Sequence, residues 1–298
     1  MIYDLIIIGM GPAGIAAGIY AKRSGLNVLI LERGVPGGML NYTNFIENYP
    51  GLGEIRGPEV AYKMFEHINH LQIPYKIEEV KELKHDKEIK KIITKKNQYQ
   101  AKAIIIATGR VSKKLAITNA DKYEGKGISY CAICDGTLYK DKDIAILGAG
   151  NSALEEAIFL SDICKSVTII NRSKIIRGDE ELQQRVKAID NITILYDVKI
   201  KELKGNEFLE KVVLNNNTEL EVAGLFVYIG FVPATDFAKD LNITNSKGAI
   251  VVDRDFQTKV EGIFACGDII EKELYQIITA SSEGASAAIS AYKYVRKH

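Results

Sequence analysis

Twice in this chain an apolar, β-branched run ends in a glycine turn, continues with helical periodicity and returns to a second apolar run. The first is "YDLIIIGMGPAG" (3–14), helical over 13–24, then "NVLILER"; the second is "DIAILGAGNSA" (143–153), helical over 152–163, then "SVTIINR". Strand, tight turn, helix and strand make a β-α-β unit, whose crossover sets both strands parallel in one sheet. Each unit is followed by a charged β-rich stretch and then by a strand ending in glycine, "AIIIATGR" (103–110) and "GLFVYIGFVP" (224–233). The pattern is an internal repeat of roughly a hundred residues. A third strand-to-glycine turn, "GIFACGDI" (262–269), precedes a C-terminal helical stretch.

The simplest assembly closes one nucleotide-binding domain from the first and last segments and inserts the second between them. The expected fold class is α/β, with two Rossmann-like three-layer domains. Expected bounds are 1–112 with 243–298 for the outer domain and 113–242 for the inserted one. The linkers fall near 111–118 and 240–246.

Charge narrows the partners. There are 39 basic and 38 acidic residues, a net +1, so neither nucleic acid nor a membrane surface is an expected partner. "MIYDLIIIGMG" lacks a basic leader and a cleavage site, and no apolar run approaches a membrane span. The expected compartment is the cytoplasm. Its reducing thiol pool disfavours a permanent structural disulfide and leaves a catalytic one open.

In Gly9-Met10-Gly11-Pro12-Ala13-Gly14, the first glycine permits the turn, the second lets backbone approach a pyrophosphate, and the third lets helix and strand pack closely. The helix start offers free N–H groups to the phosphates. Glu32, about 20 residues on, can accept hydrogen bonds from a ribose. The second turn, Gly148-Ala149-Gly150-Asn151-Ser152-Ala153, is a G-x-G-x-x-A version. Its second strand ends at Asn171-Arg172, with Arg177 nearby and no acid. A 2′-phosphate favours arginine and a free 2′-hydroxyl favours acid, so these residues lean toward NADPH over NADH. The plainer reading makes Arg172 and Arg177 solvated surface charges. Gly267-Asp268 can hold the ribityl or phosphate part of a flavin, and Asp268 equally suits a turn or helix cap.

The remaining feature is "YCAICDGTLYK" (130–140), in which Cys131 and Cys134 stand two residues apart and Asp135 follows. A tetrahedral zinc site needs four ligands, and neither a second C-x-x-C nor a histidine pair downstream supplies them. No metal is expected. A redox disulfide is the better reading, with Asp135 giving or taking a proton, or simply capping a turn. Cys164 and Cys266 read as small buried hydrophobes.

The pieces "GMGPAG", "ENYPG" (47–51), "IIIATGR", "CAICDG", "GAGNSALEEA" and "FACGDI" stand in the order and spacing of one family. Together they resemble the low-molecular-weight thioredoxin reductases over essentially the whole chain. Glutathione-reductase-like relatives carry a C-x₄-C pair just after the first β-α-β unit, where this chain has none. The resemblance implies a homodimeric FAD enzyme that reduces thioredoxin or a thioredoxin-like protein. FAD would sit in the outer domain and NADPH in the inserted one. Cys134 would be the sulfur nearer the flavin, Cys131 the more exposed attacking thiolate, and Asp135 the acid/base. Further FAD contacts are implied at Arg33, Gly37, Gly38, Met39, Asn48, Val80, Thr108, Gly109, Gln276 and Ile277, and a further nucleotide-site position at Gly230. The inserted domain of such enzymes rotates between two states, which would put the hinge in the linkers.

Departures from the family lie on the donor side. "NRSKIIR" stands for "HRR…R", so Asn171 replaces His and Ser173 an arginine. Asn151 replaces an acid, Tyr275-Gln276 stands for Arg-Gln, and Gly37-Gly38-Met39 for "GGQ". NADH or reduced ferredoxin as donor, and a glutaredoxin-like protein or oxygen as acceptor, are the alternatives. Thioredoxin-reductase-like ferredoxin–NADP reductases lack the C-x-x-C, so the cysteines count against that relative. A nucleotide-sensing module without turnover is the non-enzyme alternative.

Overall fold

The computed structural model describes residues 1–86 and 88–298. The chain divides into two compact units, Met1–Val111 with Val232–His298, and Ser112–Phe231. It crosses between them on two strands, Arg110–Ser112 and Phe231–Pro233, which pair with each other.

The outer unit is built on a sheet ordered Tyr75–Ile77, Val28–Glu32, Ile2–Ile8, Gln98–Ile106, Ile89–Thr94, Val80–Asp86, with Ile263–Ala265 also paired to Gln98–Ile106. The strands that carry the repeat are parallel: Leu5 pairs with Val28 and Ala103, and Ile104 with Ile263. Alternation along the first strand sorts its side chains into two layers. Leu5 and Ile7 pack against the helices Pro12–Arg23 and Ile277–Lys297, where Ala17, Ala287 and Ala291 are fully buried. Ile6 and Ile8 face the opposite layer, with Val80, Leu83 and Ile92 of the antiparallel strands. Both faces are covered, which is why these strands read as continuous apolar runs.

The inserted unit repeats the plan. Its parallel sheet runs Ile128–Ser129, Gly224–Val227, Asp143–Leu147, Ser166–Ile170, Ile192–Leu195. Ile144 and Ile146 pack on the helix Asn151–Ser161 through Leu154, Ala157 and Leu160. Ala145 faces a three-stranded antiparallel sheet, Ile200–Lys204, Lys211–Leu214 and Glu219–Glu221.

The second crossing comes at 231/232, earlier than the 242/243 expected from sequence. The physical reason is the 3₁₀ segment Asp236–Leu241: its Ala238 and Leu241 are buried with Val80 and Leu83 of the outer unit. Among the described residues, no helix is long and apolar enough to cross a membrane.

Candidate functional site

Both glycine turns have the same cause. Gly9 (φ +104°) and Gly148 (φ +132°) lie in the left-handed region. A Cβ on Gly9 would run into the carbonyl oxygen of Ala107, and one on Gly148 into that of Tyr228. Each turn therefore brings one strand end against the next. The helices that follow start at Pro12 and Asn151, with Gly11 and Gly150 as N-caps and no side-chain cap. The first N–H groups of each helix are thus left for an anion.

In the outer unit, Glu32 is buried and its two oxygens accept from Met10 N–H (2.7 Å) and Gly34 N–H (2.9 Å). This fixes the carboxylate, and each oxygen keeps a lone pair for a ribose hydroxyl. Gly9, Glu32, Arg33, Val80 and Thr108 line one cavity of about 620 Å³. Gly11, Pro12, Ala13 and Gly14 form the helix start beside it. Gly37 donates to Met10 O (2.7 Å), and a Cβ on Gly38 would stand 3.2 Å from Gly11 Cα. Met39 continues that turn as 3₁₀ helix. Asn48 Nδ2 donates to Gln276 Oε1 (3.1 Å), and Gln276 caps the C-terminal helix that begins at Ile277. Gly109 accepts from Ala234 N–H, and Thr108 Oγ1 donates to Ala234 O. Gly267 N–H donates to Glu283, which also pairs with Lys272; Lys272 lies 3.3 Å from Asp268. The glycines, the uncapped helix start and Glu32 fit a dinucleotide such as FAD.

Tyr275, where the resembled family has arginine, carries the guanidinium of Arg110 over its ring at 3.8 Å.

In the inserted unit, Arg177 N–H donates to Ala149 O within the G-x-G turn (3.1 Å). Asn151 and Asp179 are tied twice, Nδ2 to Oδ2 at 2.7 Å and Asp179 N–H to Oδ1 at 2.8 Å. These bonds bring the 171–179 loop to the helix start that carries Ser152 and Ala153. Arg172 and Arg177 are exposed. Asn171 is buried and closes its own loop, donating to Ile175 O and accepting from Ser173 N–H. Gly230 accepts from Lys113 N–H beside the crossing strands, two residues after Tyr228, whose carbonyl packs on Gly148.

Cys131 and Cys134 form a disulfide, Cα atoms 5.4 Å apart. Cys131 is the extended N-cap of a single helical turn, Ala132–Asp135, and its Sγ accepts from Cys134 N–H (3.1 Å). Ser129 Oγ accepts from Cys131 N–H (3.1 Å) and donates to Asp135 Oδ2 (2.7 Å). The hydroxyl of Tyr228 accepts from Ala132 N–H (3.0 Å). Asp135 is thereby held beside the disulfide. Cys134 is exposed and Cys131 half-buried, Cys131 sitting inside the bonds that anchor the turn. Behind the turn, Glu156 is 5% exposed, Oε2 lacks a hydrogen-bond partner, and burial, with Glu155 adding, pushes its carboxyl up to about 8. Burial, then Glu156, also raises the Tyr228 phenol. Cys164 and Cys266 are buried free thiols; burial pushes Cys164 up to about 11 and Cys266 higher still, so neither is a nucleophile at neutral pH.

The sequence profile of the pyridine nucleotide-disulphide oxidoreductases matches residues 3–284. The chain belongs to that family. It is 40% identical to the thioredoxin reductase of Bacillus subtilis, over 99% of this chain and 96% of the relative. With the thioredoxin reductase of Ureaplasma parvum it shares 42% identity over 100% and 98%. The solved structure of Lactococcus lactis thioredoxin reductase superposes with a TM-score of 0.95 at 41% identity, covering 99% of this chain and 100% of that one. Family membership implies FAD and a pyridine nucleotide.

Sequence reading of this oxidoreductase missed Ser129, Tyr228, Glu156 and Arg110. Glu156 had a signal: an acid on the apolar face of "NSALEEAIFLS", three residues after Ala153 and four before Leu160. Tyr228 and Arg110 had none, because their partners are distant in sequence; Ser129 stands two residues before the C-x-x-C pair, but its residue type alone did not mark it.

Proposed function

We propose that this chain is a thioredoxin-disulfide reductase, passing electrons from NADPH through FAD and the Cys131–Cys134 disulfide to thioredoxin or a thioredoxin-like protein. The disulfide carries the reading: it sits on an anchored turn with a carboxylate fixed beside it, in a unit that also holds a phosphate-binding helix start. Gly9, Gly11, Gly14 and Glu32 would hold FAD, which when bound relays two electrons from the donor to the disulfide. Gly148, Gly150 and the helix at Asn151 would take the pyrophosphate of the donor. Arg172 and Arg177, exposed and without an ion pair among the described residues, are free to meet a 2′-phosphate. The reduced pair then attacks the partner's disulfide through a mixed disulfide. Asp135 takes or supplies the proton as each thiol ionises or forms; as a carboxylate it does not itself favour thiolate. The family resemblance supports a homodimer, and the redox chemistry suits a cytoplasmic setting.

Anaerobic titration of the bound flavin with NADPH, NADH and reduced ferredoxin in parallel, followed by a thioredoxin-reduction assay, tests this. Bleaching by NADPH and turnover of thioredoxin are expected. Bleaching by ferredoxin alone would move the donor, and a protein that cannot bind FAD would end the reading.

A further inference from the structure

On the reading just given, the Cys131–Cys134 pair opens and closes in every turnover, and it is carried by one turn of helix. A helix this short has no stability of its own, because nucleation costs more than one turn recovers. In the oxidised protein the S–S bond closes the turn. In the dithiol form that closure is gone, and the remaining anchors decide whether the two sulfurs stay together.

Two of those anchors come from outside the turn. Ser129 ends the strand Ile128–Ser129, is itself buried, and lies in register with Phe226 of the neighbouring strand. It binds Cys131 N–H and Asp135 at the two ends of the turn. Tyr228 directly follows that neighbouring strand, donates its N–H to Leu147 O (2.8 Å), and has its backbone packed against Gly148. Its ring joins the core containing Ala132, Ala153 and Ala157, and its hydroxyl reaches Ala132 N–H. Both anchors are thus mounted on the central sheet and do not depend on the S–S bond. Ala132 is buried, so its N–H has no water to replace Tyr228.

We propose that Tyr228 and Ser129 are positioning residues that keep the Cys131–Cys134 turn closed while the pair is reduced. Held at disulfide spacing, the two thiols act at high effective concentration on one another. Ring closure is favoured, and the dithiol becomes a stronger reductant. The step served is the exchange in which two Cys S–H bonds of the pair are lost and its S–S bond forms. The partner's S–S bond breaks and two partner S–H bonds form, so two electrons and two protons pass across and nothing else is consumed.

The test is a redox titration of the flavoprotein and of its Tyr228→Phe and Ser129→Ala variants. Each is equilibrated anaerobically across a series of oxidised and reduced dithiothreitol ratios, acid-quenched, alkylated, and read by mass for the Cys131–Cys134 disulfide. Tyr228→Phe removes one oxygen and keeps the ring. The expected result is a fall of roughly tenfold in the equilibrium constant for closing the disulfide, which is about 30 mV less negative for a two-electron couple. Ser129→Ala should move the same way, so either variant that folds decides the matter. Constants within twofold of the parent, or a shift to more negative potential, in a folded variant overturn the proposal. A parent protein whose pair stays oxidised throughout the series overturns the reductase reading itself, and the inference with it.

Discussion

Glu156 offers a quantitative check on the burial argument. Its carboxyl is pushed from 4.5 to about 8, first by burial and then by Glu155. The folded protein therefore keeps Glu156 protonated at neutral pH, while the unfolded chain ionises it above about pH 4.5. The unfolded state then binds fewer protons, so stability is full below pH 4.5 and falls as pH rises toward 8. At about 1.4 kcal/mol per unit, the loss is about 3 kcal/mol at pH 7 and about 5 kcal/mol once the folded group also ionises. Glu156→Gln removes the titration and keeps the shape. Any fixed cost of burying the amide is the same at every pH, so the slope carries the result. Urea unfolding of parent and variant from pH 5 to 9, followed by far-UV circular dichroism, reads it. The variant's stability relative to the parent should climb by about 1.4 kcal/mol per pH unit between 5 and 8 and level off above. A difference that does not change with pH would mean that Glu156 is ionised in the folded protein, and the reasoning would be wrong.

Three other outcomes follow from the sites. Cys134→Ser should leave flavin reduction by NADPH intact and stop thioredoxin reduction; continued turnover in a thioredoxin assay would remove the disulfide from the pathway. Gly148→Ala should destabilise the inserted unit by about 2 kcal/mol or more and weaken nicotinamide-nucleotide binding, because a Cβ there meets the Tyr228 carbonyl at a φ of +132°. A calorimetric titration and a melting curve check it. Replacing Arg172 and Arg177 together with alanine should raise the NADPH KM roughly tenfold and leave the NADH KM unchanged, since these exposed arginines answer only to a 2′-phosphate; equal loss for both nucleotides would contradict that role.

Much of the fold was readable because its signals are local. An apolar run, a glycine turn and a helical period lie within some thirty residues of each other, and both β-α-β units stand where those patterns put them. The interruption of one nucleotide fold by another was readable for the same reason, through the order of the repeats. The second crossing point was not: nothing local marks Ala238 and Leu241 as belonging to the outer core. The same limit governs the sites. Cys131 and Cys134 announce themselves by spacing, and Glu32 by its distance from Gly9. Asn171, a candidate nucleotide-site residue by position, also makes two bonds within its own loop, which no local pattern announced.

Residue types at short spacing were enough for the α/β class, the two glycine turns and the redox pair. What holds that pair came from the fold. Tyr228 reaches Ala132 across 96 residues, Asn48 meets Gln276 across 228, and Arg110 stacks on Tyr275. The first exists because parallel strands bring distant chain segments to the same edge of a sheet, and no local pattern encodes which side chains will face one another there.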